Sequence, residues 1–180
     1  IGVATKDERY DKMAYEFIKI SLTAYSITAV FGGLLTFSLI IFYPDFMKYM
    51  TGIFGSTMLA YAFLFLAESA SLYIYYYGWN WMKHGFKKWV HLTIGLILNA
   101  VGTVLMFLAN SWVTFMMSPG GVDAAGAFQG DSWAVVHNFL WNPVNLHRFV
   151  ANVAYGGSVV GAYAAYRFLS AQTKEEKAHY

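Results

Sequence analysis

Between Lys19 and Asp45 the chain runs for 25 residues without a charged side chain. A stretch of that length suits a helix in lipid, because only closed hydrogen-bonded structures satisfy their own backbone where there is no water. About 20 apolar residues cross a bilayer core. Comparable stretches follow: from Lys48 to Lys83, broken only by Glu68, from Lys88 to Asp123, and from Arg148 to Arg167. Pro44 and Asp45 stop the first, since proline cannot continue the hydrogen-bond ladder, and Pro119-Gly120-Gly121 stops the third. The expected fold class is an all-α integral membrane protein, a four-transmembrane-helix bundle in a single membrane domain over residues 1–180. Its spans fall at about 20–42, 53–77, 90–116 and 148–169. Composition agrees: 12% of residues are charged, where a soluble domain carries about 25%.

Lys and Arg orient such a bundle, because basic loops near spans stay in the cytoplasm. They gather in the N-terminal segment (Lys6, Arg9, Lys12, Lys19), the second connection (Lys83, Lys87, Lys88) and the tail (Arg167, Lys174, Lys177), with only Lys48 and Arg148 elsewhere. Four spans with both termini cytoplasmic account for this alternation. The long outer loop, 117–147, contains DSWAVVHNFLWNP. It predicts an outer interfacial amphipathic helix capped by Asp131 or Ser132 and carrying Trp133, Phe139 and Trp141 at the membrane surface. A net charge of +2 without a basic stripe argues against nucleic acid as a partner. The absence of cysteine excludes disulfides, thiolate metal sites and covalent c-type haem. The chain opens on Ile1 in a segment too polar for a secretory signal, so processing or upstream residues are expected.

Chemistry in such a chain centres on Glu68, the one carboxylate inside a span. An ionised carboxylate in hydrocarbon is costly, so it either moves protons or faces a cofactor, or stays protonated and hydrogen-bonds between helices. His147, Arg148 and Asn152 form a second candidate site at the outer end of the fourth span. There a histidine can ligate a haem iron and an arginine pair with a propionate, or both are solvated by headgroups. His137 is either a further member of that site or a surface histidine. His84 and His91, among the lysines of the second connection, read as part of a basic loop that meets anionic lipid. Tyr73 to Tyr77, Trp79 and Trp81 read as an inner aromatic belt, and Gly32, Gly33, Gly156, Gly157 and Gly161 as helix-packing positions.

FLAESASLYIYYYGWNWM, LANSWVTFMMSPGG and WNPVNLHRFVANVAYGGSVVGAYAAYRF, in that order, resemble subunit I of the cytochrome bd oxidases. Agreement is closest at IFG (53–55), Glu68-Ser69, Gly78-Trp79, Ala109-Asn110, Trp112, the Pro-Gly turn and Asn142-Pro143. That family carries two b-type haems and a d-type haem, oxidises quinol and reduces oxygen with proton uptake. Glu68 matches a family glutamate of the haem pocket and proton route. A second family glutamate, about two turns earlier, falls near Ala60 or Tyr61 and has no counterpart, and the low-spin b haem's histidine ligand falls at Ala151. His147, one turn closer to the outer surface, is the expected replacement ligand, to a haem displaced by about 5 Å. Trp112, Arg148 and Asn152 are expected around the cofactor.

The resemblance implies a haem-binding transmembrane subunit of a respiratory electron-transfer complex, incomplete as an enzyme on its own and resident in a bacterial or archaeal cytoplasmic membrane. Haem b is the expected cofactor. Haem d, quinone or cytochrome c, and the family's first and later helices all call for other membrane subunits. The alternative reading is a haem-free membrane anchor of a redox complex. A transporter, the third reading, has only Glu68 in its favour and no helix breaks within its spans.

Overall fold

The computed structural model describes residues 2–82 and 85–180. Lys83 and His84, read above as part of a basic loop, and Ile1 lie outside the described residues. Among the described residues eight helices follow one another: α1 (Gly2–Thr5), α2 (Glu8–Phe42), α3 (Pro44–Tyr77), α4 (Trp79–Met82), α5 (Phe86–Met117), α6 (Ser132–Val136), α7 (Trp141–Ser170) and α8 (Lys174–His179). A β-bridge, Val122 to Phe128, pins the α5–α6 connection.

Asp7 starts α2 by accepting a 2.9 Å hydrogen bond from the Arg9 backbone N–H, with Glu8 and Asp11 in the first turn to complement the helix dipole. Apolar residues carry α2 to Phe42, where Pro44 ends it as expected. The helix resumes at once, however. Pro44 is the first residue of α3 and needs no N–H there, and Asp45 favours the same helix start. Residues 44–52 are therefore α-helix rather than loop, and Phe46 and Met50 reach the core.

Three helices, α2, α3 and α5, are long and apolar enough to cross a membrane. At 30 residues α7 has the length, but Asn142, Asn145, His147, Arg148 and Asn152 dilute its apolar character. α3 packs most extensively on α5, with α2 against α3 and α7 against α5. At the other end of the bundle Phe17 of α2 and Tyr163 of α7 meet, ring centroids 4.9 Å apart. Along α2 most of the large apolar side chains from Ile27 to Phe42, Phe31, Phe37 and Ile41 among them, stand half or more exposed, a surface suited to lipid.

The core sits at the α6 end. Phe54, at 0% exposure, packs edge-on against Phe115 and tilted on Trp112, with Met50, Ile53, Val135 and Val136 around it. α6 is a short helix of five residues within the segment expected to be helical, and Asp131 caps it through the N–H groups of Trp133 and Ala134. Its Val135 and Val136 face the core, while Trp133 and Phe139 point away, exposed.

Candidate functional site

Residues seven apart lie on nearly the same face of a helix, and on α3 that relation links Tyr61, Glu68 and Tyr75. All three meet α5. The Tyr61 hydroxyl donates to the Leu108 carbonyl at 2.9 Å and shares a 2.9 Å hydrogen bond with Ser111. Tyr75 lies over Gly95 and stacks on His91, centroids 4.0 Å apart. Glu68 lies over Gly102, where a Cβ would come within 2.6 Å of its Oε1. Glycine on α5 thus makes the room that large polar side chains of α3 occupy. Ser69, the next residue, ties the same stretch of α3 to α2 through a 2.6 Å hydrogen bond with Tyr25.

The Glu68 carboxyl opens into a cleft of about 570 Å³ between α3, α5 and α7. Leu98, Asn99, Gly102, Thr103 and Met106 line it from α5, and Phe149, Asn152 and Val153 from α7. Asn152 donates to Met106 Sδ at 2.9 Å, Asn99 to the Gly95 carbonyl at 2.8 Å, and the Thr103 hydroxyl to the Asn99 carbonyl at 2.8 Å. Neither asparagine Oδ1 accepts a hydrogen bond among the described residues.

The sequence grouped His147, Arg148 and Asn152, and the helix separates them. α7 meets α5 through Trp141, Asn145, Phe149 and Asn152. His147 lies about 200° around the helix from both Asn145 and Phe149, hence on the face turned away from α5. It is exposed, as are Arg148 and Ala151. Asn152 therefore belongs with Glu68, and His147 with a separate, outward surface. Trp112 packs on Phe54 in the core at the α6 end. His137 stacks on Trp133 and tilts against Trp141, next to α6.

His91 departs from its reading as a loop residue. It is five residues inside α5 and 5% exposed, and its Nε2 donates at 2.7 Å to the Tyr75 carbonyl, one of the acceptors left open where α3 ends. Tyr75 likewise is an interior contact and not part of a surface belt.

A sequence profile of the cytochrome bd terminal oxidase subunit I family matches residues 1–180. The chain belongs to that family. No curated protein and no solved structure matches it. Membership of the bd subunit I family, together with helices suited to crossing a membrane, makes this a multi-pass membrane protein and a respiratory oxidase membrane subunit. Within that bd subunit, Tyr61, at or beside the position read as lacking the family's second glutamate, is hydrogen-bonded to α5.

Sequence reasoning missed Asn99, Gly102, Thr103 and Met106. The signal was present in the i, i+4 spacing of Asn99 and Thr103 around Gly102, in an otherwise apolar run. Chemically, the cleft can hold a proton on Glu68 next to amide and hydroxyl oxygens. Among the described residues no three His, Asp or Glu side chains gather as a metal site.

Proposed function

We propose that the chain is the haem-binding transmembrane subunit of a bd-type oxidase complex, in which Glu68 holds and passes protons taken up from the cytoplasmic side. In this reading α2, α3, α5 and α7 all span a bacterial or archaeal cytoplasmic membrane, both termini are cytoplasmic, and α6 lies at the outer interface. The observation that carries it is Glu68 itself: a carboxyl group in a mid-bundle cleft among polar groups from two neighbouring helices. Other membrane subunits supply the remaining haem ligands and the quinol or cytochrome c site.

The residues of α7 fit a b-type haem. His147 leads an outward face that continues through Ala151, Ala154, Ser158 and Gly161 at helical spacing. These side chains are small and exposed, so a flat macrocycle can lie against them. His147 would supply the iron ligand and Arg148 a cation for a propionate. Bound there, haem supplies one-electron transfer. Glu68, on the other side of α7, orients no haem ligand and serves the proton.

The test uses the assembled complex in its membrane. Glu68→Gln is expected to slow oxygen consumption at least tenfold, about 1.4 kcal/mol on the barrier, with the reduced haem spectrum retained. His147→Ala is expected to lose a b-haem α-band. A complex whose spectrum is unchanged by His147→Ala refutes the ligand assignment, and unchanged turnover in Glu68→Gln refutes the proton role.

A further inference from the structure

The polar groups of the Glu68 cleft share one property: the protein engages their donors and leaves their oxygens. Asn99 donates to a backbone carbonyl, which only its nitrogen can do. Asn152 directs its nitrogen at the Met106 sulfur, which would repel the amide oxygen. Thr103 gives its one proton to the Asn99 carbonyl. Two amide oxygens, a hydroxyl oxygen and the Glu68 carboxylate remain in one cleft. Hard cations bind through such oxygens.

Charge decides which cation. Among the described residues that line it the cleft has one acid and no base, and beyond Glu68, the two asparagines and Thr103 its lining, with Leu98, Phe149 and Val153, is apolar. A divalent ion would leave one uncompensated positive charge in a low-dielectric setting, which is costly. A monovalent ion leaves none. We propose that the cleft binds a monovalent metal cation of sodium size in exchange for a proton, with Glu68, Asn99 Oδ1, Thr103 Oγ1 and Asn152 Oδ1 as its oxygen ligands. The volume of about 570 Å³ leaves room for retained water to complete its shell. Gly102 is part of the site, because a side chain there would press on Glu68 Oε1.

The proposal rests on Glu68 gaining and losing a proton, as in the function proposed above. Ion and proton then compete for one carboxylate. The other titratable groups near it are Tyr25 from α2 and Tyr61 and Tyr75, one heptad away on either side along α3. The lining residues of α5 and α7 carry none, and free phenols titrate only near pH 10, about. Acid pH therefore acts on the site through Glu68.

The test is thermal unfolding of the assembled complex in nanodiscs, followed by tryptophan fluorescence, in NaCl, KCl or choline chloride at constant ionic strength. Sodium is expected to raise the unfolding temperature saturably. Its half-saturating concentration should rise about tenfold per unit of falling pH over the range where Glu68 is protonated. Glu68→Gln should abolish the sodium shift while unfolding in choline stays cooperative, and Gly102→Ala and Thr103→Val should each raise the half-saturating concentration. If Glu68→Gln does not assemble, those two variants decide. Equal unfolding temperatures in sodium and choline overturn the proposal, as does a sodium shift that survives Glu68→Gln. An equal shift in potassium overturns the assignment of size. The two readings of Glu68 fail separately: oxygen consumption intact in Glu68→Gln removes its role as proton carrier, whereas absence of a sodium response removes only the cation.

Discussion

At the α6 end of the bundle Asn110, Ser111 and Thr114 are at most 1% exposed, whereas three turns or so back along the same helix Asn99 and Thr103 border an open cleft. Both regions put small polar residues on an apolar helix. At the α6 end these residues serve each other across helices. Asn110 donates to Asn145 of α7 at 2.5 Å, Asn138 to Thr114 at 2.9 Å, and Tyr61 of α3 meets Ser111. In the cleft Asn99 and Thr103 bond along their own helix, and only Asn152 reaches across, from α7 to the Met106 sulfur of α5. In a bundle whose outer surface suits lipid, polarity that crosses between helices fastens them, while polarity satisfied locally leaves oxygens available to a ligand.

The largest effect should come from emptying the fastened end. Phe54→Ala removes a fully buried ring between Phe115 and Trp112, and is expected to cost about 3–5 kcal/mol in a denaturant titration of the purified complex. A loss below 1 kcal/mol, roughly the deletion of one methylene, would mean that this end is not the core. Next is Asn145→Ala, which leaves the Asn110 amide buried without its partner. About 1–3 kcal/mol is expected. The double change of Asn110 and Asn145 to leucine should recover part of that loss, because neither amide is then left buried and unpaired.

Tyr25→Phe probes the boundary between the two regions. It deletes the hydroxyl that holds Ser69, and with it α3 beside Glu68, to α2. The expected loss is about 0.5–1.5 kcal/mol, and turnover should fall if α2 positions this stretch. A stability loss without change in turnover would show that α2 only buttresses α3.

Much of the fold was legible because charge in lipid is expensive. The gaps between charged residues gave the α2 and α3 ends at Phe42 and Tyr77, and Glu68 drew notice by the same cost. Residues 44–52 were misread because Asp45 and Lys48 mark a chain leaving hydrocarbon, which says nothing against a helix continuing through the interface. The cleft was less legible. His147 and Asn152 looked like neighbours at five residues apart, but five residues on a helix is about 140°, enough to put them on different surfaces. Asn99, Gly102 and Thr103 read as ordinary breaks in an apolar run until the face that α5 shows to α3 was fixed by Tyr75 over Gly95 and Glu68 over Gly102. Which of two faces meets a neighbouring helix is a tertiary fact, and on α5 apolar residues surround both.

The smallest predicted effect is the one that separates the regions most cleanly. Thr103→Val keeps the side-chain shape and removes one hydroxyl, whose proton goes to the backbone carbonyl of Asn99 four residues earlier on α5. That carbonyl keeps its place in the helical hydrogen-bond ladder, so no acceptor is orphaned, and Thr103 is only part-buried, at the border of an open cleft. The stability change should therefore stay within about 0.5 kcal/mol. The same exchange at Thr114 removes the hydroxyl that accepts from Asn138 Nδ2 at a site with 0% exposure, where about 1–3 kcal/mol is expected. Equal costs at the two threonines would collapse the distinction, since the cleft hydroxyl would then be holding helices together rather than presenting its oxygen to a ligand.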